Sequence, residues 1–285
     1  MKNPPVFRAL AFWRIVAALV VVVGVLVSTG YGKDEAGGSL RVLCYNIHYG
    51  QGNDGQYDIE RLAAVIAAAE PDLVALQEVD VGVERSGRVH QARRLSELTG
   101  MAVRMGPTQH FEGGLFGNAV LTTLPILDVH IQPLPYTEST PEKTTYPRGA
   151  IALTVRAPNG EALRFISTHF QHNVPEDRVA EAKAINRFFA AKGDDDMPTI
   201  LAGDINAKPD DEPVQILLRR WSNAIDDESA PTVPAVDPKS RIDYIFYRPA
   251  TAFSVLETKV VAEAMASDHR PVFAVFAFPA AKSKP

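Results

Sequence analysis

Residues 199–206 read Thr199-Ile200-Leu201-Ala202-Gly203-Asp204-Ile205-Asn206. A strand that is apolar at every position belongs to a sheet covered on both faces, because each successive side chain points to the opposite side. Here that strand runs into Gly203 and then into a carboxylate and an amide. The same design recurs: Leu40–Tyr45 runs into Asn46, Leu73–Gln77 into Glu78, and Leu163–Thr168 into His169. Further on, Asp243 stands near the start of the run Ile242–Tyr247, and Ser267-Asp268-His269-Arg270-Pro271 immediately precedes Val272–Phe278. A buried charge without a partner costs several kcal/mol, so six polar groups beside apolar strands are cheaper in one shared site than scattered singly.

Two more β-rich runs, Ala119–Thr122 and Ala150–Val155, complete the set, and most runs are bounded by Gly, Pro, Asn or Asp. Helical patterns lie between some of them. Asp58 can cap a helix with Leu62, Val65, Ile66 and Ala69 on one face, ending before Pro71. Others are predicted over Gln91–Thr99, from Pro175 to Gly193, and from Pro213 with Val214, Leu217, Leu218 and Trp221 on one face. Some connections, such as Ala157 to Ala162 with Pro158-Asn159-Gly160, are hairpin-sized. Hairpins mixed with helical crossovers predict an α/β fold with two mixed β-sheets packed face to face and helices outside, with no domain boundary after residue 39.

The chain has 285 residues, 46% hydrophobic and 22% charged, which excludes a disordered acidic tail or a fibrous repeat. Twenty-nine Lys and Arg against 34 Asp and Glu give a net charge of −5. Residues 1–30 hold Lys2, Arg8 and Arg14 and no acid, so the rest carries −8, which argues against a nucleic-acid binder that is basic over its whole surface. A single cysteine, Cys44, excludes a disulfide framework and a thiolate zinc cluster.

Lys2, Arg8 and Arg14 precede an apolar run, Ile15 to Val27, followed by small residues Ser28-Thr29-Gly30, the layout of a secretory signal peptide. Residues 9–29 would also reach across a bilayer if Arg14 snorkelled, leaving an outward-facing signal anchor as the alternative. Residues 1–30 are therefore read as signal peptide or anchor, 31–38 as linker, 39–279 as catalytic domain and 280–285 as tail, with the domain exported or held outward on the membrane.

Asn46, Leu76-Gln77-Glu78, Ser167-Thr168-His169, Gly203-Asp204-Ile205-Asn206, Asp243-Tyr244 and Ser267-Asp268-His269, in this order and spacing, resemble the endonuclease/exonuclease/phosphatase superfamily. The resemblance covers about residues 39–279 and implies a four-layer α/β sandwich and a metal-dependent phosphoric ester hydrolase. It further implies that Glu78, with the carboxamide oxygen of Asn46, holds Mg²⁺ or Mn²⁺, with Asp268 acting through water or a second ion. His269 would touch the phosphate or its attacking water, with Asp243 fixing its tautomer. Asp204 would deprotonate the water, Asn206 would bond a phosphate oxygen, and His169 would stabilise the phosphate or protonate the leaving oxygen.

Beside the motifs, His48 and His172 are candidates to reach the substrate. Arg148, at the mouth of a strand in Thr144-Thr145-Tyr146-Pro147-Arg148-Gly149, reads equally as a bidentate phosphate ligand or a surface residue after a turn. Arg85 is a weaker phosphate candidate, for which a solvated loop is the favoured reading, and Asn118 is a further candidate. Phe111-Glu112-Gly113-Gly114-Leu115-Phe116-Gly117 reads as a hairpin whose aromatics cover a sheet edge, in preference to a loop dipping into lipid. A monomer acting on a small phosphodiester or lipid head group is the expected enzyme. An extracytoplasmic nuclease and a non-catalytic binding module on the same scaffold are the alternatives.

Overall fold

The computed structural model describes residues 38–191, 197–225 and 230–279. The predicted signal or anchor, all of the linker but Gly38, and the tail lie outside them. In chain order the elements are β1 (Ser39–Asn46), α1 (Ile59–Ala69), β2 (Leu73–Val81), α2 (Gln91–Thr99), β3 (Ala102–Phe111), β4 (Gly114–Thr122), β5 (Ile126–Pro133), β6 (Gly149–Arg156), β7 (Ala162–His169), α3 (Pro175–Phe189), β8 (Thr199–Asp204), α4 (Glu212–Leu218), β9 (Ser222–Asn223), β10 (Asp243–Arg248), β11 (Ser254–Val260) and β12 (Val272–Ala277). Among the described residues no helix is long and apolar enough to cross a membrane.

Two six-stranded mixed sheets form, in the orders β11-β12-β1-β2-β4-β3 and β5-β6-β7-β8-β10-β9. Each contains one parallel pair, β1 with β2 and β7 with β8, bridged by α1 and α3 respectively, while the other ladders are antiparallel. The sheets pack face to face on Val42, Cys44, Ala75, Phe165, Ala202 and Ile245, among others. Leu43, Tyr45, Val74 and Leu76, on the alternate positions, pack against residues of α1 and α2, and Ile166, Leu201, Tyr244 and Phe246 against residues of α3 and α4. This is the four-layer sandwich expected from the sequence.

The local signals act as read for the first two helices. Asp58 caps α1 by accepting from Arg61 N at 2.8 Å, and α2 stops at Gly100 with φ +71°. β3, β5 and β11 were not predicted: all three carry many exposed residues, and β3 holds Gly106-Pro107. They lie at or beside sheet edges, where the apolar alternation that marks a buried strand is not required. The predicted end of α3 at Gly193 is corrected to Phe189.

Candidate active site

The period of two along a strand builds the site. Cys44, Ala202 and Ile245 face the inter-sheet core, so Asn46, Asp204 and Asp243, each two residues away along its strand, face the same way at the mouth of that core. Register completes the row: Gly149 pairs with His169, His169 with Asp204, and Asp204 with Asp243, across β6, β7, β8 and β10. Below the mouth the sheets are pinned by Gln77 Nε2 donating to Ser167 Oγ (3.1 Å) and Ser167 Oγ donating to Leu76 O (3.0 Å), all buried.

Glu78 departs from the regular row. The β2–β4 register shifts between Leu76 and Val79, and Glu78 within that bulge has φ +59°, a left-handed conformation costly for a residue with a Cβ. The bulge turns its carboxylate into a cavity of about 380 Å³ that is also lined by His48, Arg148, His169, Asp204, Asn206, Asp268 and His269. Asn46 Nδ2 donates to both Glu78 Oε1 (3.1 Å) and Asp204 Oδ2 (3.0 Å). Its oxygen accepts from His48 N at 3.0 Å, so the amide presents its nitrogen, not the expected carboxamide oxygen, to the carboxylates. Among the described residues Glu78 forms no ion pair. An acid in a cavity with no cationic partner, beside the Asp268 carboxylate and the Asn46 amide, is a hard-oxygen donor set that fits Mg²⁺ or Mn²⁺.

Asp204, Asp243 and His269 bring ligand atoms within 4.8 Å of one another, and one hydrogen bond joins two of them. His269 Nδ1 lies 2.9 Å from Asp243 Oδ2, and Nε2 lies 3.8 Å from Asp204 Oδ2. Burial pushes the imidazolium's pKa down, but the Asp243 charge, its hydrogen bond, and the Asp204 and Asp268 charges outweigh it and hold the ring up at about 10. Burial first, then the Asp243 charge, push the Asp204 carboxyl up to about 7, against His269, Asn206 N and the Asn46 amide.

His169 is the reverse case. Burial first, then the Arg148 and His269 charges, hold its pKa well below the usual imidazole value, so the ring is neutral. Donors face both ring nitrogens: Arg148 Nη1 lies 3.3 Å from His169 Nδ1, and Nε2, 3.4 Å from Asp204 Oδ2, also faces the Asn206 amide nitrogen. Asn206 holds φ +50°, donates Nδ2 to Phe170 O (3.0 Å) and lies 3.0 Å from His169 Nε2.

The rim corrects two expectations. Arg85 is not in a solvated loop: Nε and Nη2 each donate to buried Asp80 at 2.9 Å, and the guanidinium lies against Tyr49 (3.8 Å), Phe111 (4.6 Å) and Phe116 (5.2 Å). Asn118 does not line the cavity. It is buried and donates to Gly149 O at 2.8 Å, next to Arg148, so it positions that strand. Arg148 is itself buried, not a surface residue, and His48 and His172 both line the cavity, His172 with its ring 5.4 Å from Tyr146. Phe111 and Phe116 lie on the β3–β4 hairpin, as expected, but face the cavity. Asp80 and Gln91 were missed: neither ends an apolar strand. The one available signal, the acid five residues before Arg85, is common on surfaces.

The model of the endonuclease/exonuclease/phosphatase family matches residues 43–269. No curated protein matches the chain. Among solved structures, an endonuclease/exonuclease/phosphatase from Beutenbergia cavernae is 25% identical, with a TM-score of 0.68 over 84% of this chain and 72% of that one. A Bacteroides thetaiotaomicron mannosyl-6-phosphatase is 21% identical, with a TM-score of 0.67 over 84% and 100%. The human Nocturnin catalytic domain with bound sulfate is 19% identical, with a TM-score of 0.64 over 85% and 95%.

Proposed function

The chain belongs to the endonuclease/exonuclease/phosphatase family, whose members hydrolyse phosphoesters, and on that premise we propose that it is a divalent-metal-dependent hydrolase of small phosphoesters. The observation that carries the reading is the convergence of Glu78, Asp204, Asn206, Asp268, His169 and His269 on one cavity from both sheets. A volume of about 380 Å³, at the small end of ligand pockets (~300–1,000 Å³), favours a compact substrate over a nucleic-acid duplex.

Glu78, Asn46 and Asp268 would hold the cation. When bound, it supplies Lewis-acid neutralisation of phosphate charge. The Asn46 amide would then have to turn its oxygen inward, giving up the His48 N–H it accepts here. Asp204, with a carboxyl pKa of about 7, is matched to take a proton from water near neutrality. The His269 imidazolium, anchored by Asp243, offers positive charge and an Nε2–H to a phosphate oxygen. The neutral His169 is not suited to protonate a leaving group. Arg148 adds charge behind it.

The test is hydrolysis of bis-p-nitrophenyl phosphate and p-nitrophenyl phosphate by the purified protein with Mg²⁺ or Mn²⁺, with plasmid DNA run alongside. Turnover that chelation abolishes and metal restores is expected. No turnover across a broad metal screen would instead favour a binding module.

A further inference from the structure

One wall of the cavity is built in a way that the hydrolysis of a phosphate does not require. Arg85 spends Nε and Nη2 on Asp80, whose side chain is fully buried, so the pair has no net charge. The guanidinium still lines the cavity, and its Nη1 makes no hydrogen bond to any described residue. Tyr49, Phe111 and Phe116 surround it and line the same cavity, with Gln109 beside them. The arrangement is held from below: buried Gln91 accepts from Asp80 N at 2.9 Å and donates Nε2 to Tyr49 O at 2.6 Å, locking the bulged end of β2 to the turn that carries His48 and Tyr49. That turn keeps both residues at positive φ, 45° and 42°.

We propose that Arg85, Tyr49, Phe111 and Phe116 form a recognition wall for the organic half of the ester, taking an uncharged ring against the aromatic side chains and one of its oxygens on Arg85 Nη1. The inference deepens the proposed reading of this cavity and rests on it. Two features select the ligand class. An arginine already neutralised by a buried carboxylate retains a directed donor but little attraction for a second phosphate, so it suits a hydroxyl or carbonyl oxygen. Aromatic side chains at the same wall stack on any planar or ring-shaped group, a nucleobase or a sugar ring alike.

Calorimetric binding in Mn²⁺, with every protein carrying Asp204→Asn so that the proposed base is removed and the ligands are bound but not consumed, tests this without relying on turnover. The ligands are methyl phosphate, glucose 6-phosphate, thymidine 5′-monophosphate and fructose 1,6-bisphosphate; the proteins are Asp204→Asn alone and Asp204→Asn with Arg85→Lys or Phe111→Ala. Asp204→Asn alone is expected to bind at least one ring-bearing monophosphate about fivefold or more tighter than methyl phosphate, the low end of stacking on an aromatic side chain. The sugar and nucleotide arms identify which ring it takes. Both added substitutions should bring that ratio close to one. Equal binding of methyl and ring esters by Asp204→Asn alone, a ratio unchanged by Phe111→Ala, or preference for the bisphosphate overturns the wall. Phe111→Ala, on a hairpin strand, keeps the test valid if Arg85→Lys fails to fold. A binding preference there, with no hydrolysis by the wild type under any metal, would sink the hydrolase reading and leave the wall standing.

Discussion

His269 Nδ1 and Asp243 Oδ2 meet at 2.9 Å although the residues are 26 positions apart, and both are buried. Asp243 Oδ1 makes no hydrogen bond, so this single contact carries the whole compensation for burying that carboxylate. Asp243→Asn should therefore lower turnover of p-nitrophenyl esters by about 10²–10⁴-fold. Stability gives a second readout. The ring's pKa is raised from 6.5 to about 10 on folding, so its contribution is full below about pH 6.5 and is lost as pH rises towards 10. Urea titrations in chelator should show Asp243→Asn less stable than wild type at pH 6, with the gap narrowing or reversing by pH 10. A constant gap would show that the pair does not titrate as described.

Glu78→Gln keeps the shape of the bulge and removes the charge. Turnover should fall at least about a hundredfold, and the Mn²⁺ concentration for half-saturation should rise at least about tenfold, read by calorimetry and by activity. Unchanged Mn²⁺ affinity would move the cation elsewhere.

Gly203 has no room for a side chain. A Cβ there would lie 2.2 Å from the Thr168 carbonyl oxygen, a backbone atom, so β7 and β8 could not keep their spacing beside Asp204 and His169. Gly203→Ala should cost roughly 1–3 kcal/mol or more and most of the activity. A wild-type melting temperature and rate in this variant would refute that account.

Glu181 is fully buried, with Oε2 accepting from Gln171 N at 2.9 Å and Oε1 unpartnered. Burial is the main cause that pushes its carboxyl from 4.5 up to about 8. An acid whose pKa rises on folding imposes no penalty below about pH 4.5 and its full penalty above about pH 8. Glu181→Gln should thus melt roughly 5 °C or more above wild type at pH 9, given ~2–4 °C per kcal/mol for a domain of this size, and show no gain at pH 4.5. Equal melting at pH 9 contradicts the burial of a charge there.

Burial first, then the Arg148 charge, hold the His172 ring below the usual imidazole value. Arg148→Met removes that charge, so an NMR titration should show the His172 pKa rising. A fall would mean that burial deepens in the variant by more than the lost charge relieves.

The backbone plan was legible because it follows from local rules, whereas the roles of the site residues came from the family resemblance. Apolar runs of strand length gave the central strands, Asp58 and Gly100 gave helix ends, and Asn46, Glu78, His169 and Asp204 stood out as polar groups closing buried strands. Edge strands β3, β5 and β11 were silent, since one unpaired side frees a strand from the apolar pattern. What only the tertiary structure decided is which atom meets which. The Asn46 amide turns its nitrogen to two carboxylates, His169 is neutral while His269 is charged, and Arg85 is neutralised by Asp80. Each outcome depends on burial and on charges brought from distant parts of the chain, and spacing along a sequence encodes neither. The period of two could place Asp243 at the mouth of the core, but only the packing of two sheets could put His269 against it.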